Sequence, residues 1–288
     1  MSTRTAFVST AWLAERLSDP HVRVLDATYV LPGVPRNAEA EFLERHIPGA
    51  QFFDIDAYKD TETDLPHMLP DPDSFAEDMS ALGISNDCTI VCYDSYGLMS
   101  AARPWWMFRV FGHDKVFVLD GGLKQWLAES RPVESGPAVP QRQGRFNTRF
   151  RPELVSDRDA VLTALDTPAM QIIDARSAGR FTGVEPEPRA GLASGHIPGA
   201  HNVPFASLLD PATGLILSKA QIEARFVAAG IDLKRPIITS CGSGVSACVL
   251  AIGLYELGRA DVSVYDGSWS EWGSYPGLPI ATGVAATL

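Results

Sequence analysis

The chain has 288 residues, a formal net charge of −11, 45% hydrophobic residues and 9% aromatics. That allows a sizeable core in one large domain or two ordinary ones, and the negative charge argues against nucleic acid or an anionic membrane as the main partner. Four cysteines in a chain this long argue against a disulfide scaffold and for a reducing, cytoplasmic setting.

In chain order, Met1 to Thr10 carries no apolar run of leader-peptide length, and no later run is long enough to span a membrane. Ala11 to Leu17 reads as a helix, Val22 to Leu25 as a strand, Ala38 to Arg45 as a polar helix and Gln51 to Phe53 as a strand. Ser74-Phe75-Ala76-Glu77 has capping-box spacing at the start of a further helix. Thr89 to Tyr93 is a strand, Ser100 to Phe111 a helix and Val116 to Leu119 a strand. Such alternation predicts an α/β fold, a parallel sheet with helices on both faces. Residues 131–153 hold four prolines and few apolar side chains, and read as a connection that wraps along one domain.

Beyond it the chain repeats itself. His46-Ile47-Pro48-Gly49-Ala50 returns as His196-Ile197-Pro198-Gly199-Ala200, and Val24-Leu25-Asp26-Ala27 as Ile172-Ile173-Asp174-Ala175. Asp120 to Trp126 returns loosely as Asp266 to Trp272, always at an offset of roughly 150 residues. Two copies of one domain follow, 1–135 and 154–288, with 136–153 as linker. Ser218-Lys219-Ala220-Gln221 is the second copy's own capping box. Both histidines precede Ile-Pro-Gly-Ala, so both are turn or packing residues. Arg176, two positions after Asp174, reads as a structural ion pair.

The copies differ at one elbow. Ile237 to Thr239 is a buried strand, and Ala247, Leu250, Ala251, Leu254 and Leu257 have helical spacing up to the terminator Gly258. Between them lies Cys241-Gly242-Ser243-Gly244-Val245-Ser246. A glycine-spaced turn into a helix aims backbone N–H groups at one point, so Cys241 should sit at an anion cradle that favours its thiolate and lowers its pKa. A phosphatase loop of this kind would need arginine where Ala247 stands, so the cradle suits a smaller anion such as a persulfide. The first copy has Tyr93-Asp94-Ser95-Tyr96-Gly97-Leu98-Met99-Ser100 at this place, without a nucleophilic sulfur, and is the non-catalytic copy. Cys248, Cys88 and Cys92 read as core residues.

Cys-Gly-Ser-Gly-Val-Ser resembles the active-site loop of the rhodanese-like sulfurtransferases, in the mercaptopyruvate branch. The thiosulfate branch carries Arg-Lys where Gly242-Ser243 stands here, and Ser246 replaces the usual threonine. The resemblance spans essentially the whole chain, including Arg103-Pro104-Trp105-Trp106-Met107-Phe108-Arg109. It implies tandem rhodanese-like domains and transfer of sulfur from 3-mercaptopyruvate to Cys241, with pyruvate released. A thiophilic acceptor (cyanide, or a thiol such as reduced thioredoxin) then takes the sulfur, with no metal or organic cofactor. It also implies substrate binding by Arg180 and Arg189, in a segment the first copy lacks, and by the loop residues Gly242, Gly244, Val245 and Ser246. Ser243 is implied to work in a relay with Asp56 and His67. The alternatives are a thiosulfate:cyanide sulfurtransferase, or a persulfide-carrying or partner-binding module.

Overall fold

A computed structural model describes residues 5–139, 141–167 and 169–284. Met1–Arg4 of the opening segment, Pro140 of the linker, Pro168, and 285–288 of the second copy lie outside the described residues. Contacts divide the chain into two units: Met1–Thr61 with Leu69–Arg151 and Asp210–Ile216, and Glu62–Met68 with Pro152–Leu209 and Leu217–Leu288.

The first unit runs β1 (Phe7–Val8), α1 (Thr10–Ala14), β2 (Val22–Asp26), α2 (Ala38–Glu44), β3 (Gln51–Phe52), α3 (Pro72–Ala81), β4 (Thr89–Tyr93), α4 (Ala102–Val110), β5 (Val116–Leu119) and α5 (Gly122–Ala128). Its sheet is wholly parallel in the order β1-β5-β4-β2-β3. β4 forms the centre because its β-branched run is buried on both faces: Ile90, Val91, Cys92 and Tyr93 are all sealed from solvent. Residues 141–151 pack along this unit. Gly144 N–H donates to Ser80 O at 2.8 Å and Arg149 N–H to Phe111 O at 2.9 Å, and Phe146 meets Phe75 and Phe108 edge-on.

One helix start differs from the capping-box expectation. α3 opens at Pro72, with Asp71 as its cap accepting from Asp73 N–H and Ser74 N–H. Proline is preset for the first helical position and aspartate caps well, so together they start the helix upstream of Ser74. The Ser74 hydroxyl instead donates to Asp71 Oδ2.

The second unit repeats the plan: β6 (Val155–Ser156), α6 (Arg158–Leu165), β7 (Gln171–Asp174), α7 (Ala178–Thr182), β8 (His201–Asn202), α8 (Lys219–Ala228), β9 (Ile237–Ser240), α9 (Ala247–Glu256), β10 (Ser263–Tyr265) and α10 (Ser268–Trp272). Its strand order, β6-β10-β9-β7-β8, matches the first strand for strand and is again parallel. The Ser218–Gln221 capping box forms at α8. α9 is buried on nearly every side rather than along one stripe, as an all-apolar helix must be.

The paired histidines are alike in both copies. Each ring donates its Nδ1–H to a backbone carbonyl at 2.8 Å, Phe42 O for His46 and Phe181 O for His196, and each stacks on that phenylalanine. Both are scaffold. Burial also lowers the pKa of His196 from its ordinary value.

In each sheet the chain moves outward in opposite directions on the two sides of the central strand. The loops after β4 and β9 therefore lie at the topological switch point, where open α/β sheets place their ligands.

Candidate active site

Cys241 follows β9 directly and is 2% exposed. Its backbone is locked from the α10 side. Cys241 N–H donates to Ser268 Oγ at 3.1 Å, and Trp269 N–H donates to Cys241 O at 3.0 Å. Gly242 O accepts from both Ser270 N–H (2.8 Å) and Ser270 Oγ (2.7 Å). Ser268 itself is fully buried, donates its hydroxyl hydrogen bond to Tyr265 O, and has φ +49°. A side chain other than glycine in that region marks an overdetermined position. Neither Ser268 nor Ser270 was visible as a site residue in the sequence. The one signal was the repeat of Asp120–Trp126 in Asp266–Trp272.

The loop then climbs into α9. Gly244 takes φ +75°, which glycine adopts without the Cβ penalty. Ser243 and Val245 are buried and Ser246 precedes the first helical residue. Cys248 donates its thiol to Gly244 O at 3.2 Å, which makes it part of the loop's support. Gly242 does not need a positive φ. Its missing side chain makes room: a Cβ there would lie 2.8 Å from Arg180 Nη2.

The equivalent loop of the first copy shows what such an elbow holds. Asp94 takes the place of Cys241, and its buried carboxylate accepts five backbone N–H groups. Oδ1 receives Tyr96 (2.9 Å) and Gly97 (3.0 Å); Oδ2 receives Met99 (2.8 Å), Ser100 (2.9 Å) and Ala101 (2.9 Å). The strand-to-helix turn is thus an anion cradle, filled in this copy by the chain's own carboxylate.

Beside the Cys241 loop runs a buried chain of charges. Arg176 forks onto Asp174 (Nη2–Oδ2 2.6 Å), reaches Glu187 Oε1 at 2.7 Å and Gly195 O at 2.8 Å, and lies 4.3 Å over the Trp269 ring. Burial lowers the Arg176 pKa, but Asp174 and Glu187 more than offset this and raise it overall. Glu187 also holds Arg180, through Nε at 3.2 Å and Nη2 at 2.5 Å. Arg176 is therefore the structural ion pair its spacing predicts. Arg180 is a clamped side chain aimed at Gly242 rather than a loose surface charge. Glu187 was missed in sequence, although an acid between two nearby arginines was a usable signal.

His67 and Arg189 meet within the second unit, with His67 Nε2 3.0 Å from Arg189 Nη2. Asp56 lies in the first unit, exposed, with Lys59 Nζ 3.5 Å from its carboxylate. Within the second unit the structure thus joins Arg180 to the Cys241 loop and His67 to Arg189.

A family model described as "Rhodanese-like domain" matches residues 9–129 and 157–275. The chain is 46% identical to a thiosulfate/3-mercaptopyruvate sulfurtransferase of Arabidopsis thaliana, over 97% of this chain and 79% of that one. It is also 46% identical to the 3-mercaptopyruvate sulfurtransferase of Escherichia coli, over 97% and 99%. The crystal structure of SseA from Escherichia coli, a 3-mercaptopyruvate sulfotransferase, superposes with a TM-score of 0.84 at 44% identity, over 92% of this chain and 99% of that one. With two matched domains, two like parallel sheets and relatives at 44–46% identity over nearly the whole chain, the chain belongs to the rhodanese-like family.

Proposed function

We propose that the chain is a sulfurtransferase that moves sulfur from 3-mercaptopyruvate to a thiophilic acceptor through a persulfide on Cys241. The Cys241 thiolate attacks the donor sulfur, the carbon–sulfur bond breaks, and the enolate that leaves is protonated to pyruvate. In the second half-reaction cyanide, or a thiol such as reduced thioredoxin, attacks the outer sulfur and releases the Cys241 thiolate. This is covalent catalysis in two steps. The observation that carries the reading is the Asp94 carboxylate in the first copy's loop. It supports a cradle in the second copy that receives a sulfur anion on Cys241, with Gly242, Gly244, Val245 and Ser246 as its wall. Ser243, inside the loop, bonds the moving sulfur. The relay through Asp56 and His67 is decided by the His67 variants described below. The copies span 1–135 and 154–288 with 136–153 between, and the second is catalytic. All four cysteines are free and buried, in keeping with a reducing, cytoplasmic setting.

Arg180 and Arg189 hold the donor's carboxylate. Losing a charge-assisted contact costs about 1.5–3 kcal/mol, so Arg180→Ala and Arg189→Ala should each lower kcat/KM for mercaptopyruvate by about tenfold to a hundredfold. Unchanged kinetics in both variants would remove them from the site.

Donor choice rests on the loop. Thiosulfate carries its charge on the group bonded to the transferred sulfur, which must then sit where Gly242 and Ser243 offer no cation. Steady-state rates with the two donors side by side should favour mercaptopyruvate strongly. Equal efficiency would place the protein with the thiosulfate enzymes while leaving sulfur transfer intact. Turnover with neither donor would favour a persulfide-carrying or partner-binding module.

A further inference from the structure

His67 stands in Glu62–Met68, a short stretch from within the first copy's span that groups with the second unit. It is 2% exposed, and its backbone has φ +61°, a left-handed conformation that side chains other than glycine seldom adopt. A buried residue held in this way is positioned by its surroundings, and such strain gathers at functional sites. Its Nε2 lies 3.0 Å from Arg189 Nη2.

The chemistry of that contact assigns the proton. A guanidinium only donates and keeps its charge at any ordinary pH. Nε2 must therefore be the bare acceptor nitrogen, and the imidazole is neutral with its proton on Nδ1. While the contact stands, Nε2 is engaged and cannot take or give a reacting proton. The acceptor on Arg180 is different in kind: Glu187 is an anion, and its contact offsets the charge it orients. His67 is a neutral acceptor, and its contact orients the Arg189 guanidinium.

We infer that His67 is a positioning residue for substrate recognition: a neutral acceptor that aims the Arg189 guanidinium at the donor's carboxylate, rather than an acid or base in sulfur transfer. The inference rests on the mercaptopyruvate reading above and assigns a specific task to one residue of that site. Glutamine can place Oε1 near the position of Nε2 and so can replace the acceptor, whereas alanine cannot.

The test is steady-state kinetics of wild type, His67→Ala, His67→Gln, Arg189→Ala and the double alanine variant, with mercaptopyruvate as donor and pyruvate as product inhibitor. His67→Ala should raise KM and the pyruvate inhibition constant together, each by about tenfold, with kcat within about twofold of wild type. His67→Gln should recover most of that loss. The double variant should lose little beyond Arg189→Ala, because the two residues act as one unit. A fall in kcat with KM and pyruvate inhibition unchanged, and no recovery by glutamine, would make His67 an acid–base group and overturn the inference. Independent, additive losses would also overturn it. Wild type that fails to turn over mercaptopyruvate would overturn the substrate reading itself, and the inference with it.

Discussion

Cys241→Ser is expected to lose all measurable turnover and keep its fold. The hydroxyl is a poor nucleophile toward sulfur, and no persulfide can form on oxygen, so both half-reactions stop at once. The fold should survive because the groups that fix position 241 are backbone groups. Its N–H stays on Ser268 Oγ and its carbonyl on Trp269 N–H whatever the side chain. Serine is also close to cysteine in volume, so the buried position of residue 241 is not opened into a cavity. Circular dichroism and thermal unfolding should match wild type while activity falls to background. Turnover retained in this variant would move the nucleophile elsewhere.

Asp94→Ala is expected to produce a large loss of stability. The carboxylate is fully buried and accepts five N–H groups. Removing it leaves those donors without their acceptor in a dry site. Each unsatisfied donor costs about 1–3 kcal/mol, but water entering the vacated space satisfies part of the set. A net loss of about 3–5 kcal/mol follows, the range seen when one partner of a buried charged cluster is deleted. Asp94→Asn should also destabilise, because its amide puts donors opposite donors on one side of the cradle. The measurement is hydrogen exchange at Tyr96, Gly97, Met99, Ser100 and Ala101, which should all lose protection, together with denaturant unfolding. An alanine variant as stable as wild type, with those amides still protected, would show that the cradle does not depend on its anion.

The structure also shows which features the chain order could carry. Thr89–Tyr93 and Val116–Leu119 are read correctly to the residue, because β-branched runs between polar breaks have few alternatives. The Cys241 elbow is equally legible, since a strand, two glycines and a helical period meet there. The repeat then makes the second sheet follow from the first. What stayed hidden depends on residues far apart in sequence. Ser268 fixes Cys241 from 27 positions away, and no local pattern marks a serine for that task. Glu187 joins Arg176 to Arg180 only after the segment folds back on β7. A glycine-spaced turn suggests backbone freedom at both glycines, yet only Gly244 has a positive φ and Gly242 does not. The reason for glycine there is the Arg180 guanidinium, which only the fold brings near. The start of α3 was missed because the capping box at Ser74 competed with a stronger Asp-Pro signal just before it.

The central claim is that sulfur from mercaptopyruvate rests on Cys241 between the two half-reactions. It is tested most directly by incubating the wild-type protein with mercaptopyruvate and no acceptor, then digesting it and weighing the cysteine peptides. The peptide holding Cys241 should gain the mass of one sulfur atom, and should lose it again when cyanide or a thiol is added. Sulfur found instead on the peptides of Cys88 and Cys92, on Cys248, or on none of them would contradict the account.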